Sequence, residues 1–137
     1  MTRWSIGHSE RERLTIELLS PPAQDEGYDW ITARATITVG GFHGDTQLMI
    51  TLADMIRFAE QLHPLYETLK GEAEFTTIED QVYMKLTTDG LGHITVAGHL
   101  MDQVGVGNKL LFNVSLDQTF LKNALAELKQ AIEAVKR

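Results

Sequence analysis

A glycine pair leads into a strand, a long amphipathic helix and a second strand, and this succession constrains the chain more than any other feature. It runs from Gly40 to Phe75, GGFHGDTQLMITLADMIRFAEQLHPLYETLKGEAEF. Adjacent glycines supply the positive φ angles of a tight hairpin. Trp30 to Val39 and Phe42 to Ile50 are therefore expected to pair antiparallel. The first alternates cleanly, with Ile31, Ala33, Ala35, Ile37 and Val39 on one face and Trp30, Thr32, Arg34, Thr36 and Thr38 on the other. That pattern predicts one buried and one open face. On the return strand Phe42, Thr46, Leu48 and Ile50 fall inward, and Gly44 suggests a bulge. Thr51 is the expected N-cap, with Asp54 at the positive end of the helix dipole. Met55, Phe58, Ala59, Leu62, Leu65, Tyr66 and Leu69 recur at spacings of three and four and share one helical face. Pro64 predicts a kink, and Lys70-Gly71 a stop.

The remaining chain reads as more strand and one closing helix. The first twelve residues are polar apart from Trp4, which leaves open an edge strand, a loose arm or a homodimer contact. Arg13 to Leu19 alternates as a strand and ends at Ser20-Pro21-Pro22, because proline cannot donate to a ladder. Residues 23–29, AQDEGYD, read as an acidic loop. Glu72–Ile78, Gln81–Thr88, His93–Met101 and Lys109–Leu116 follow as strands. Asp117 caps a helix whose seam is Leu121, Leu125, Leu128, Ile132 and Val135. No internal repeat is apparent. Short connections favour antiparallel neighbours. The expected fold is α+β: one domain, 1–137, with a meandering sheet of about six to seven strands and two helices on one face.

Composition narrows the class. The chain has 137 residues, enough for one core without a disulfide or metal staple, and it contains no cysteine. No apolar run approaches the roughly 20 residues of a membrane span, and the N-terminus lacks a secretory h-region. The expectation is a cytoplasmic protein that does not engage membrane. A formal net charge of -7 disfavours nucleic acid and favours a basic protein partner.

No catalytic pattern emerges. His8, His43, His63, His93 and His99 include no i, i+4 pair, and His93 and His99 would lie roughly 20 Å apart along a strand. No metal or cofactor is expected. Gly105-Val106-Gly107 precedes a strand, whereas a phosphate loop needs a helix N-terminus behind it. Glu79-Asp80 sits at an exposed turn that cannot separate two carboxyl pKa values. The serines lack a nucleophile elbow. An enzyme is not expected. The open sheet face is more informative, since its register gathers Trp30, Arg34, Tyr83, Lys85, His93, His99 and Lys109. Aromatic and cationic side chains on a flat face suit protein binding. Trp30 packing across strands onto Tyr83 or an aliphatic stem would be the purely structural role.

Several strings carry a family resemblance. They are Gly40-Gly41-Phe42-x-Gly44, Phe58 with Leu62 and Leu65-Tyr66, and Gly71-Glu72-Ala73-Glu74-Phe75. Further on come Asp89, Gly92-His93-Ile94-x-Val96-x-Gly98, Asn108-x-Leu110-x-Phe112 and Asp117-Gln118-Thr119-x-Leu121. Over roughly residues 31–130 the chain resembles the WapI-type family of small bacterial immunity proteins. The resemblance implies a cytosolic antidote that occludes the toxic domain of a polymorphic toxin, often a nuclease, without catalysis of its own. Most of the matching positions are turn glycines and core residues. The binding residues expected from charge and exposure are Asp25, Glu26, Asp29, Trp30, Arg34 and Tyr83. The alternative is a small-molecule or regulatory module with a pocket between sheet and helices.

Overall fold

Alternating apolar and polar residues become strands, and the two runs of three-and-four periodicity become helices. The computed structural model describes residues 2–136; Met1 and Arg137, the ends of the expected domain, lie outside the described residues. The order is β1 (Thr2–Ser9), β2 (Glu12–Leu18), β3 (Ala23–Asp25), β4 (Tyr28–Val39), β5 (Phe42–Thr51) and α1 (Leu52–Thr68). There follow β6 (Glu72–Phe75), β7 (Val82–Thr88), β8 (His93–Met101), β9 (Lys109–Asp117) and α2 (Gln118–Val135). The fold is α+β and every pairing is antiparallel. The strands divide into two sheets, however, where the sequence suggested one. β1, β2, β4 and β5 form the first, with the short β3 added to the end of β4; β6 to β9 form the second. The break falls at α1, because a helix between β5 and β6 carries the chain away from the first sheet's edge.

Apart from β3, the chain runs four strands and a helix, twice. From the helix caps onward the two halves correspond at a fixed spacing of 66 positions (117 − 51 = 66). Thr51 and Asp117 are the N-caps; Met55 and Leu121, Phe58 and Ala124, Leu62 and Leu128, Leu65 and Ala131 are buried pairs. His63 and Lys129, equivalent by the same spacing, meet at 3.2 Å. Equivalent positions of the two helices thus meet, as a local twofold relation between the halves would require. The repeat is invisible in the sequence because burial is preserved at these positions while residue type, Leu62 and Leu128 apart, is not.

Each helix covers the other half. α1 lies along β6, and α2 lies along β1. Gln61 Oε1 of α1 accepts from the backbone N–H of Glu74 in β6 at 2.9 Å. Glu127 Oε1 of α2 accepts from the backbone N–H of Ser5 in β1, also at 2.9 Å. Gln61 and Glu127 are equivalent by the 66-residue spacing. The exchanged helices thus satisfy an outward amide on the first strand of each sheet, a position that otherwise invites a foreign strand.

The N-terminal stretch is a full edge strand, and its Trp4 is a central core residue. The Trp4 ring lies 5.8 Å from Phe58 of α1 and 5.2 Å from Phe75 of β6, which are themselves 5.3 Å apart. All three are buried. Two local expectations fail. Gly44 makes no bulge, since β4 and β5 stay in register from Val39–Phe42 to Trp30–Thr51. A Cβ at Gly44 would meet Ile37 of the first sheet at 3.1 Å and Leu100 of the second at 3.4 Å, so this glycine lets the sheets close on each other. Phe42 is 68% exposed, because the hairpin end projects past the core. Gly40 does supply a positive φ, 61°, at the turn. Thr51 and Asp54 form a reciprocal capping box, with bonds of 3.1 Å and 2.9 Å.

The two tryptophans give a direct test. Trp4→Ala should cost about 3–5 kcal/mol by chemical denaturation, whereas Trp30→Ala, at a half-buried site on an open face, should cost under about 1.5 kcal/mol. Similar losses at the two positions would contradict the placement of Trp4 at the join between the halves.

Candidate protein-binding surface

Residues 23–29 form a hairpin where an acidic loop was expected. Glu26 and Gly27 have φ of 51° and 84°, the two positive values of a tight two-residue connection. Asp25 then pairs with Tyr28, Gln24 with Asp29 and Ala23 with Trp30. The side chain of Gln24 donates to Asp29 Oδ1 at 3.0 Å. Tyr28 stands 46% exposed and packs edge-on against Trp30, ring centres 5.8 Å apart. Trp30 therefore packs along its own strand and not across to Tyr83. Asp25, Glu26 and Asp29 have no ion-pair partner among the described residues. No lysine or arginine occurs between Arg13 and Arg34.

The six expected binding residues are divided between two sheets. Asp25, Glu26, Asp29 and Trp30 share the hairpin. Arg34 lies further along β4 and is held by Asp45 at 2.7 Å. Tyr83 belongs to β7 of the second sheet, because the single face assumed from the sequence is divided between two sheets. There Tyr83 donates to Glu74 Oε2 at 2.8 Å and stacks on His99 with ring centres 5.6 Å apart. Its phenol pKa is raised, first by the hydrogen bond to the Glu74 carboxylate and then by desolvation. Lys85 beside it bonds Glu72 at 2.7 Å, and that contact raises the ammonium pKa. The outer row continues through His99 to Leu111 of β9, which is 73% exposed. Leu111 is absent from the expected binding set, although it carries a sequence signal: an apolar residue on the polar phase of a strand.

The histidines are dispersed. His93 faces Asp89, His43 faces Thr38, His63 lies by Lys129, and His8 stands edge-on to Phe120. His99 is half-buried, its Nε2 3.0 Å from the Asp80 carbonyl oxygen, where a solvent-facing ring was expected. Among the described residues no group of three His, Cys, Asp or Glu is placed to hold a metal ion. No described helix is long and apolar enough to cross a membrane. The surface depressions are open grooves, such as one of about 410 Å³ between His8, Phe120 and the ends of β8 and β9.

The described residues thus combine polar open sheet faces, an acidic hairpin and a filled apolar interior. The chain belongs to the immunity protein WapI-like family, whose sequence profile matches residues 5–136. No curated protein matches the chain significantly. Among solved structures, the Trypanosoma bruciei MRP1/MRP2 crystal structure aligns at a TM-score of 0.49 with 10% sequence identity, covering 98% of this chain and 85% of that one.

The residues that carry the family resemblance build turns and close contacts. A Cβ on Gly98 would run into the Tyr83 carbonyl oxygen of the neighbouring strand. Asp89 accepts from the Leu91 N–H at 2.7 Å and faces His93 Nδ1 at 2.7 Å across the β7–β8 turn. Asn108 closes the β8–β9 loop on Asp102, with bonds of 2.8 Å from its backbone and 2.9 Å from its side chain. Both carboxyls are held below their ordinary pKa, Asp89 first by the Leu91 amide and Asp102 first by the Asn108 side chain. A depressed folded pKa contributes stability above the unfolded value, and this is lost as pH falls through the folded one. The loss should fall below about pH 4. An Asp89→Asn, Asp102→Asn double variant should lose less melting temperature than the parent between about pH 5 and pH 2. Parallel Tm profiles would refute this.

Proposed function

We propose that this chain is a cytoplasmic, non-catalytic immunity protein that binds and neutralises the toxic domain of a bacterial polymorphic toxin, with the β3–β4 hairpin as part of its contact surface. The observation that carries this reading is the hairpin itself. β3 has no counterpart in the second half, so the four-strand-and-helix repeat does not require it. Its carboxylates Asp25, Glu26 and Asp29 lack ion-pair partners among the described residues, whereas Asp45, Asp54 and Glu72 are paired. Uncompensated acid beside the exposed Tyr28 and the half-buried Trp30 offers a basic partner both long-range attraction and an aromatic anchor. A nuclease domain, basic where it holds phosphate, fits that description. Occlusion of such a groove requires no catalytic group on the inhibitor.

Arg34 is already neutralised by Asp45 and serves here as framework. Tyr83 would belong to a separate contact on the second sheet. A small-molecule module would need a chamber between sheet and helices, and Trp4, Phe58 and Phe75 fill that space. Lysine at 25, 26 and 29 combined with Trp30→Ala should weaken binding to the cognate toxic domain at least about 100-fold, with much the same Tm as Trp30→Ala alone. Calorimetry against the domain encoded beside this gene reads the first quantity, and thermal melting the second. Unchanged affinity would remove the hairpin from the interface.

A further inference from the structure

We infer that the outer edge of β9 pairs antiparallel with β9 of a second copy of this chain, joining two four-stranded sheets into one. This contact is independent of the β3–β4 hairpin and does not rest on the toxin assignment. Among the described residues five strands lie at sheet edges, β1, β3, β5, β6 and β9, and β3 has only three residues, too short for an extended pairing. α2 and α1 cap β1 and β6 through Glu127 and Gln61. β5 is engaged by the second sheet, with Gly44 against Leu100 and the Thr46 hydroxyl donating to the Asp102 carbonyl at 3.3 Å. Beyond its pairing with β8, β9 has no hydrogen bond from its backbone to another element among the described residues. It keeps unbroken register with β8 from Lys109 to Asp117 and contains no proline. These are the properties of a strand that accepts another strand.

The charge pattern selects the occupant. β9 carries charge only at its two ends, Lys109 and Asp117. Antiparallel pairing about a twofold axis at Asn113 sets Asn113 against itself and Lys109 against Asp117 of the other copy. The symmetry supplies that ion pair twice, the self-complementarity expected of an isologous contact. Between the ends lie only uncharged outward groups, Leu111, Asn113 and Ser115, so no like charges oppose one another. Leu111, 73% exposed in the monomer, would sit at the join beside Ser115 of the second copy. β5 offers no such pattern, since Asp45 is its only charged residue at neutral pH and is taken by Arg34.

The absence of native cysteine makes a clean test possible. Residues opposite each other across an antiparallel pair have Cβ atoms about 4.5–5.5 Å apart, close enough for a disulfide with slight adjustment. Under mild oxidation Asn113→Cys should yield a covalent dimer, whereas Gln24→Cys on the hairpin should remain largely monomeric. Sedimentation velocity of the unaltered protein should show a reversible dimer. Lys109→Glu should raise its Kd at least about tenfold, while leaving unchanged the Tm read at low protein concentration, where the monomer prevails. A protein that stays monomeric at about 500 μM, cross-linking at 24 equal to that at 113, or a Kd indifferent to Lys109→Glu would each overturn the pairing.

Discussion

The contact on which the molecule depends is that of Trp4 with Phe58 and Phe75. One ring comes from the first strand of the first sheet, one from the helix that ends the first half, and one from the first strand of the second sheet. The three rings join the halves, because the helices reach across to cover β1 and β6, the strands that bear Trp4 and Phe75. Large aromatic rings suit such a junction. Each removes much apolar area from water, and tilted or edge-on arrangements favour the ring quadrupoles. The Trp4 indole Nε1 is buried there without a hydrogen-bond partner among the described residues, so packing dominates at this junction.

Exchanged helices have a second consequence. By lying along β1 and β6 they protect those edges, and they leave the outer faces of both sheets uncovered. A domain with a filled interior and two bare faces has little room for enclosed chemistry and ample area for contact. This agrees with membership of an immunity protein family. The acidic hairpin is an addition to the repeated plan, and additions to a plan can vary without cost to the core.

The residues on which the family resemblance was read in the sequence are mostly those that build the plan. Gly98, Asp89, Asn108 and Asp117 fix a close strand approach, a turn, a loop and a helix cap. The candidate contact residues lie outside these positions.

Element types were legible in the sequence. Period-two and period-3.6 burial patterns, Gly40 at the hairpin and Thr51 with Asp54 at the cap are all local, and local chemistry suffices to write them. The acidic segment was legible in composition but not in shape, since a Glu26-Gly27 turn looks like loop until its flanking residues are seen to pair. The tertiary structure alone decided which elements became neighbours: two sheets instead of one, the exchange of helices, Trp4 at the centre, and Trp30 and Tyr83 on different surfaces. Periodicity records which face of an element is buried but not what buries it. That choice depends on contacts between residues far apart in the chain, and a single sequence carries no mark of them.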